Sequence, residues 1–511
     1  MSRTNNMIRN VSFSFIGQGL GILASFIVRI VFIRILGNTY LGLDGLFSNI
    51  LTVLSLSELG VGTAITYSLY RPLAEKDLEK LKSLMALFKK VYSVIGFIIF
   101  GIGFLLTPFL SFFINDMPDI EGLQLIYILY VMNTAISYFF SYKRNLILAD
   151  QNRHIETIYR YGFYIAMNVI QIIYLILSHD YFGYLIIQVI MTILSNWALS
   201  CKADKMYPFL KDKKIKKLSK KDKNEIVKNT KGLMIQKVGN VVVNSTDNII
   251  ISKFVSLASV GLYSNYRLVI YALSVVINQI YASLTPGIGN FFIDQDESRR
   301  IELFKKSNFI TFWLSYFCSI CLIVLFNDFI YMFAGKDYIF GIGVVFIIVF
   351  NFYITVMRKV IVSFREAAGL FYKDRYRTVF EVGSNLIVSI VLAKYLGVLG
   401  VFIGTVISYF SLSFWVEVYV LFKDGLKSSV SRYYLDYFSK MVLTLIVGFI
   451  LYHLCGLIGG HILVRFIIKC FICVLVPNIV FILIYRNSSE FSYFKDLGLG
   501  IISKLKKKVL R

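Results

Sequence analysis

The sequence predicts an all-α polytopic membrane protein with fourteen spanning helices. Hydrophobic residues make up 57% of the chain and charged residues only 16%, a balance that soluble domains of this length do not have. Uncharged runs at 91–114, 268–293 and 395–416 are each long enough to cross a hydrocarbon core about 30 Å thick. Lysine and arginine collect in every second segment between the apolar runs, whereas the alternate segments carry only Lys336 and Lys394. By the positive-inside rule, both termini are expected in the cytoplasm.

The predicted spans divide into two matching halves and an extra pair. Tyr40-Leu-Gly42-Leu recurs 219 positions later as Ser259-Val-Gly261-Leu. Because each half holds six spans, both halves enter the membrane in the same sense, and an axis along the membrane normal is expected to relate them. We expect a six-helix N-terminal lobe (1–201), a basic cytoplasmic connector (202–230), a second six-helix lobe (231–424) and helices 13 and 14 with a basic tail (425–511). The spans are predicted at 11–36, 43–70, 84–114, 122–147, 158–178, 181–201, 231–256, 261–286, 305–334, 340–364, 377–396, 398–422, 437–455 and 461–485.

Composition and motifs exclude several functions. The net charge of +24 resides in short loops that face anionic lipid, so no nucleic-acid partner is expected. Cysteine pairs with CxxC spacing have no acid or histidine nearby to complete a metal site, so we expect no metal. The chain has no P-loop, no HExxH and no GxSxG motif, and we therefore predict a protein that is not an enzyme and needs no cofactor.

Polar residues follow single helical faces in four of the predicted spans. The faces carry Gln18 and Ser25 in span 1, and Asn240 and Asn244 in span 7, at steps of three and four residues. Ser, Thr, Gly and Asn also mediate helix packing in membranes, which leaves packing open as an alternative. A polar face toward lipid is unfavourable, so we expect these faces to line a hydrated cleft. Two further lining positions are predicted in span 8, Tyr271 and Asn278.

Ionisable side chains inside the spans predict the kind of ligand. Four cations are the candidate ligands for an anionic substrate: Arg29, Arg267, Lys253 and Arg358. The planar fork of arginine donates two parallel hydrogen bonds to phosphate oxygens, which suits a phosphorylated headgroup. Lys253 near the end of its span could instead extend to lipid headgroups. Two acids, Asp247 and Glu58, are candidates for a coupling ion, because the proton affinity of either carboxylate would respond to a neighbouring arginine.

Two stretches resemble a known family. Arg29-Ile-Val-Phe-Ile-Arg34-Ile-Leu-Gly, and Asp247-Asn-Ile-Ile-Ile-Ser-Lys253-Phe with the Gly261 and Arg267 region after it, are similar to bacterial polysaccharide transporters. These are the Wzx-type flippases of lipid-linked oligosaccharides, in the multidrug/oligosaccharidyl-lipid/polysaccharide (MOP) exporter superfamily. The resemblance implies two six-helix lobes around a central cationic cavity, with spans 13 and 14 forming a groove for a lipid tail. It also implies an undecaprenyl-diphosphate oligosaccharide as substrate.

The predicted function is therefore flipping of such repeat units across the bacterial cytoplasmic membrane, for capsule, O-antigen or exopolysaccharide synthesis. Expected partners are membrane lipid, the polymerase and glycosyltransferases of the same pathway, and a coupling proton or sodium ion. A MATE-like exporter of small cations is the first alternative, although its site should be rich in acids. A flippase for a peptidoglycan or teichoic acid precursor also stays open. A membrane polysaccharide polymerase or ligase is disfavoured because every predicted outward loop is short.

Overall fold

The computed structural model describes residues 3–58, 61–212, 245–294, 296–370 and 375–509, together with scattered positions between 216 and 230. Within these ranges the chain is helical and contains no strand. Twelve described helices are long and apolar enough to cross a membrane, which confirms the all-α, multi-span prediction. Much of the surface is apolar, and Leu177, Tyr395 and Leu457 are each more than three-quarters exposed. A soluble protein rarely exposes so many large apolar side chains, whereas lipid solvates them.

The helices follow the predicted order. The principal ones are α1 (Arg3–Leu54), α2 (Val61–Glu75), α3 (Leu78–Leu106), α4 (Leu110–Phe113), α5 (Leu123–Ala149), α6 (Arg153–Ser178), α7 (Tyr181–Met206), α8 (Leu257–Asp294), α9 (Glu297–Ala334), α10 (Ile342–Ala367), α11 (Arg375–Leu396), α12 (Val398–Leu426), α13 (Ser431–Gly456), α14 (Ile462–Tyr485) and α15 (Ser489–Val509). Residues 245–254 form a further helical segment before α8. The predicted seventh span begins at 231, and its residues up to 244 lie outside the described residues.

The first two predicted spans are joined at a glycine. Helix α1 breaks at Gly37, whose φ of 81° is a left-handed conformation that glycine adopts at little cost. The break divides α1 into a first limb before Gly37 and a second limb from Asn38 to Leu54. The second limb passes through a 3₁₀ turn, Ser55–Glu58, before α2 begins at Val61. The predicted second span is therefore interrupted near its middle, next to Glu58.

Contacts group the chain into two compact units. The first comprises the described residues up to Ser264 together with Ser389–Val401, and the second comprises Asn265–Val388 and the described residues from Phe402 onward. In the first unit α1 packs on α6, and α5 packs on α3 and α7. In the second unit α9 packs on α10, α13 and α14. These units are defined by contacts and not by the sequence repeat. The predicted lobes at 1–201 and 231–424 therefore stay a prediction.

Within the first unit, the repeated glycines make a reciprocal helix crossing. A Cβ on Gly42 would meet the carbonyl oxygen of Leu257, and a Cβ on Gly261 would meet the carbonyl oxygen of Asn38. Adding the repeat offset of 219 to positions 38 and 42 gives 257 and 261. Gly42 therefore meets Leu257 in the same way as Gly261 meets Asn38. A Cβ on Gly45 would lie 2.7 Å from the Ser264 hydroxyl oxygen, and 45 plus 219 is 264. The second limb of α1 thus crosses the start of α8 with local two-fold symmetry, at the close approach that small residues permit.

This crossing generates a stability prediction. Gly42→Ala is expected to destabilise the protein by about 1–3 kcal/mol, because the added methyl group forces two backbones apart. Gly101→Ala is the matched control, since a Cβ on this helical glycine would have no heavy atom within 4 Å. Thermal unfolding of both purified variants in detergent should give a lower melting temperature for Gly42→Ala alone. Equal melting temperatures in the two variants would contradict the close crossing.

Candidate functional site

Arg29 lies inside the first unit with its guanidinium group partly unsatisfied. In a straight helix the fifteen residues from Arg29 to Asp44 would span about 22 Å. The break at Gly37 instead brings Arg29 Nη2 to 3.9 Å from Asp44 Oδ2. The Arg29 side chain is 19% exposed, and its Nη1 atom is buried without a hydrogen-bond partner. Arginine held in this way keeps donor capacity for a ligand with anionic oxygens.

A tyrosine hydroxyl, itself in contact with a second one, bonds the acid that faces Arg29. Tyr130 Oη donates to Asp44 Oδ1 at 2.6 Å and lies 2.7 Å from Tyr181 Oη. The Tyr181 ring stacks on Tyr184 with centroids 6.0 Å apart. These phenols come from α5 and α7, so three helices, α1, α5 and α7, form this polar centre. We call it the Arg29 centre, defined as Arg29, Asp44, Tyr130, Tyr181 and Tyr184.

Sequence reasoning missed Asp44 and the tyrosines. The available signal for Asp44 was an acid inside the predicted second span, two residues after the repeated Gly42. No comparable signal marks Tyr130 or Tyr181, because aromatic residues are common in apolar helices. Of the predicted lining residues, Ser25 is close to an aromatic hydroxyl, with its Oγ 2.8 Å from Tyr164 Oη. Gln18 lies on the same limb and is partly buried.

Glu58 lies in a second polar cluster of the first unit. It ends the 3₁₀ turn that interrupts the second span, and it is partly buried. Tyr92 Oη and Tyr138 Oη each lie 3.5 Å from one of its carboxylate oxygens. Asn145 Nδ2 donates to Tyr92 Oη at 2.7 Å and so fixes that phenol. Both phenol contacts are long, and both phenols are neutral donors.

The other candidates of the first unit lie in the helical segment 245–254. Lys253 Nζ donates to the Ser111 carbonyl oxygen at 3.4 Å and lies 5.6 Å from the centroid of the Phe112 ring. These contacts suit an anchor near the end of a span. Asp247 in the same segment is partly buried. Asn240 and Asn244 lie outside the described residues.

In the second unit, the structure surrounds Arg358 with two carboxylates. Its guanidinium group donates to both oxygens of Glu381 at 2.7 and 3.0 Å and to both oxygens of Glu417 at 2.8 and 2.9 Å. Arg377 bonds both acids, and Arg365 Nη1 lies 3.3 Å from Glu417. Glu417 is only 1% exposed. Three arginines and two glutamates from α10, α11 and α12 thus form the Arg358 network.

This arrangement changes what can be expected of Arg358. Its Nε, Nη1 and Nη2 atoms all donate to carboxylates, so a diphosphate would have to displace a glutamate to reach them. Buried ion pairs of this kind satisfy charges that would otherwise be costly to remove from water. The role of Arg358 in substrate binding stays a prediction, and the structure favours a role in holding α10 to α11 and α12. The acids in spans 11 and 12 were the sequence signal for this pairing.

A smaller ionic cluster joins α14 to α9. Arg465 Nη2 and Lys469 Nζ lie 2.9 and 2.6 Å from the two carboxylate oxygens of Asp328. Lys469 and Asp328 are both nearly buried. The two cations of the fourteenth span therefore have a partner within the bundle.

The remaining candidates lie on α8 in the second unit. Arg267, Tyr271 and Asn278 are all exposed, and their spacing of four and seven residues puts them on one helical face. Tyr271 is 61% exposed. These three side chains therefore lie on the surface of the second unit.

Comparisons with solved structures identify the fold. A structure described as the lipid II flippase MurJ in an inward closed conformation aligns with a TM-score of 0.68 and 15% identity, covering 94% of this chain and 99% of that chain. An inward-facing multidrug resistance MATE family transporter of the MOP superfamily aligns with a TM-score of 0.64 and 15% identity, covering 80% of this chain and 95% of that one. A MOP superfamily transporter from Pyrococcus furiosus gives a TM-score of 0.54 at 13% identity, with coverages of 83% and 96%. At these identities the similarity concerns the fold.

Sequence comparison identifies the family. A search of curated protein sequences gave no significant match. The profile of a family described as polysaccharide biosynthesis protein matches residues 7–292, a range that includes the Arg29 centre, Glu58 and Arg267. Because this match covers more than half of the chain, the protein belongs to the polysaccharide biosynthesis protein family, and it has the fold of the MOP superfamily transporters.

Proposed function

We propose that this protein is a flippase that moves an undecaprenyl-diphosphate-linked oligosaccharide repeat unit across the bacterial cytoplasmic membrane. The product would feed capsule, O-antigen or exopolysaccharide synthesis. The observation that carries the proposal is Arg29, a cation within an apolar helix whose Nη1 atom has no hydrogen-bond partner. Membership of a polysaccharide biosynthesis family and the transporter fold support it.

The proposed binding mode assigns the three parts of the substrate to different surroundings. Arg29 is the proposed ligand of the diphosphate, and Arg267 and Lys253 are further candidate ligands. Phenols and small polar side chains contact the sugars, because hydroxyl groups of sugars need hydrogen-bonding partners once they leave water. The polyprenyl tail stays in lipid. Translocation then follows from alternating access, in which the substrate site opens to one side of the membrane at a time.

A carboxyl group that changes its charge would couple this cycle to an ion gradient. Glu58 is the first candidate because neutral phenol groups contact both of its carboxylate oxygens. A partly buried carboxyl group whose neighbours include neutral phenols is a suitable place for a proton or a small cation, because burial away from water favours its neutral or cation-bound form. Asp247 is the second candidate. We assign the coupling ion as a proton or sodium.

The pathway partners follow from the substrate's chemistry. Glycosyltransferases must assemble the oligosaccharide on the lipid diphosphate before transport, and a polymerase must join the units afterwards. A second candidate function is transport of a peptidoglycan precursor, because a structure described as a lipid II flippase aligns over 94% of this chain. Its headgroup would present the same diphosphate chemistry. A MATE-like exporter of cations fits less well, because a cation with unused donors repels such cargo.

Arg29→Gln is expected to abolish surface polysaccharide while the protein still reaches the membrane, because the charged fork for the diphosphate is lost. Arg29→Lys should retain partial function, since it keeps the charge but loses the bidentate geometry. Arg34→Gln is the matched control, because Arg34 lies on the same limb and is exposed. Immunodetection of polysaccharide and of the tagged protein measures both outcomes. Normal polysaccharide in Arg29→Gln cells would overturn the proposal, and rescue of cells depleted of their lipid II flippase would favour the second candidate.

Substitutions at two further arginines should distinguish a residue that binds substrate from one that stabilises the fold. Arg358→Gln is expected to lower the stability of the purified protein by about 3–5 kcal/mol, because it leaves two buried carboxylates short of a partner. Arg267→Gln should lower transport without a comparable loss of stability, because Arg267 is exposed. Melting temperature and surface polysaccharide, measured on both variants, test this contrast. A stable Arg358→Gln protein without transport would instead assign Arg358 to the substrate site.

Glu58→Gln is expected to make transport independent of the ion gradient, because the amide cannot change charge. Asp247→Asn serves as the comparison for the second candidate. Flipping by the purified protein in liposomes should respond to an imposed proton or sodium gradient in the native form and not in Glu58→Gln. If flipping by the native protein is indifferent to both gradients, neither acid couples transport.

A further inference from the structure

Asp44 belongs to the same helix as Arg29, the proposed ligand of the substrate diphosphate, and its carboxylate faces the Arg29 guanidinium group. Its Oδ2 lies 3.9 Å from Arg29 Nη2, whereas its Oδ1 accepts a hydrogen bond of 2.6 Å from Tyr130. The carboxylate is therefore held firmly by the phenol and only loosely by the guanidinium group. The Asp44 side chain is 37% exposed, so the pair is open on the acid's side. The first unit thus contains its own anion at the place where we propose that a substrate anion binds.

We propose that Asp44 competes with the substrate diphosphate for Arg29, holding the guanidinium group when the site is empty and displacing the diphosphate on release. This inference rests on the proposed function, because it takes the diphosphate to be the ligand of Arg29. Asp44 is then a positioning residue for transport, since it acts through Arg29 and need not touch the substrate.

The distance between the two groups supports competition. A charge-assisted hydrogen bond between a guanidinium group and a carboxylate is normally about 2.7–2.9 Å long. The observed 3.9 Å gives attraction without a full hydrogen bond, and Nη1 has no hydrogen-bond partner. A ligand with several anionic oxygens can therefore form bonds that Asp44 does not make. The Arg358 network is the contrast within the same chain, because all of its contacts between Arg358 and the glutamates are 3.0 Å or shorter.

The tyrosines explain how Asp44 can lose Arg29 without a large penalty. The ionisable groups facing Asp44 are Arg29 from the first limb of α1, Tyr130 from α5, and Tyr181 and Tyr184 from α7. When a diphosphate takes Arg29, the hydrogen bond from Tyr130 remains, and Tyr181 lies 2.7 Å from Tyr130 to keep that phenol in place. The carboxylate is therefore not left without a donor. When the diphosphate leaves, the same carboxylate is close enough to attract Arg29 again.

Two substitutions should change affinity in opposite directions. Asp44→Asn removes the competing charge and should tighten diphosphate binding by on the order of tenfold, because it also removes a like charge next to the ligand. The same variant should flip substrate more slowly, because nothing recaptures Arg29. Tyr130→Phe removes the bond that holds Asp44 away from Arg29, so the acid should pair more closely and diphosphate should bind more weakly.

The test uses the purified full-length protein in detergent with farnesyl diphosphate as the probe, its dissociation constant measured by calorimetry. Asp119→Asn, in an exposed loop, is the control that should change nothing. Asp44→Glu retains the charge and should restore an affinity near that of the native protein. If Asp44→Asn does not fold, the affinities of Asp44→Glu and Tyr130→Phe decide the question.

The outcomes separate the inference from the proposed function. Loss of probe binding in Arg29→Gln together with tighter binding in Asp44→Asn supports both. Loss of probe binding in Arg29→Gln with unchanged or weaker binding in Asp44→Asn overturns the competition and leaves the proposed function standing. If Asp44→Asn does not fold, unchanged probe binding in Tyr130→Phe has the same meaning. Unchanged binding in Arg29→Gln overturns the proposed function itself.

Discussion

The cost of keeping a charge away from water governs this structure. A guanidinium or carboxylate group inside an apolar helix bundle requires a partner, and the described part of the chain provides partners to very different degrees. Arg358 donates to four carboxylate oxygens, and Asp328 receives two cations. Arg29 faces its acid at 3.9 Å and retains a buried nitrogen without a hydrogen-bond partner. The length of the ionic contact, 3.9 Å at Arg29 against 3.0 Å or less at Arg358 and Asp328, therefore distinguishes cations that hold helices together from a cation that remains able to bind a ligand.

Backbone features decide where the loosely paired cation lies. The positive φ of Gly37 allows α1 to bend, so that Asp44 on the second limb lies 3.9 Å from Arg29 on the first. The close crossing at Gly42 and Gly261 then fixes the second limb against the start of α8. A side chain at either glycine would push the crossing helices apart and move Asp44, which is only two residues from Gly42. Three glycines thus set the geometry of an ionic contact to which they contribute no charged atom.

Sequence patterns predicted the helices well and the pairing of charges poorly. Hydropathy located the spans because lipid requires long apolar helices, and the offset of 219 in the repeat reappears in the contacts of Gly42, Gly45 and Gly261. The pattern also singled out Arg29 and Arg358 as cations within spans. It could not tell them apart, because both are arginines in apolar surroundings, and the acids that face Arg358 are 23 and 59 positions further along the chain. Asp44 was overlooked because it lies at the edge of a predicted span, where an acid needs no special explanation.

The sequence by itself determined the fold class, the approximate order of the spans and the repeat, since these depend on local hydrophobicity and on short motifs. The tertiary structure alone decided which charges are neutralised, because neutralisation depends on distances of 3–4 Å between side chains from different helices. It also decided that a 3₁₀ turn, Ser55–Glu58, interrupts the second span, that Tyr130 of α5 bonds Asp44, and that Tyr181 of α7 contacts Tyr130. Such contacts follow from the packing of helices, and helix packing depends on side-chain shapes along whole faces that no single stretch of sequence specifies.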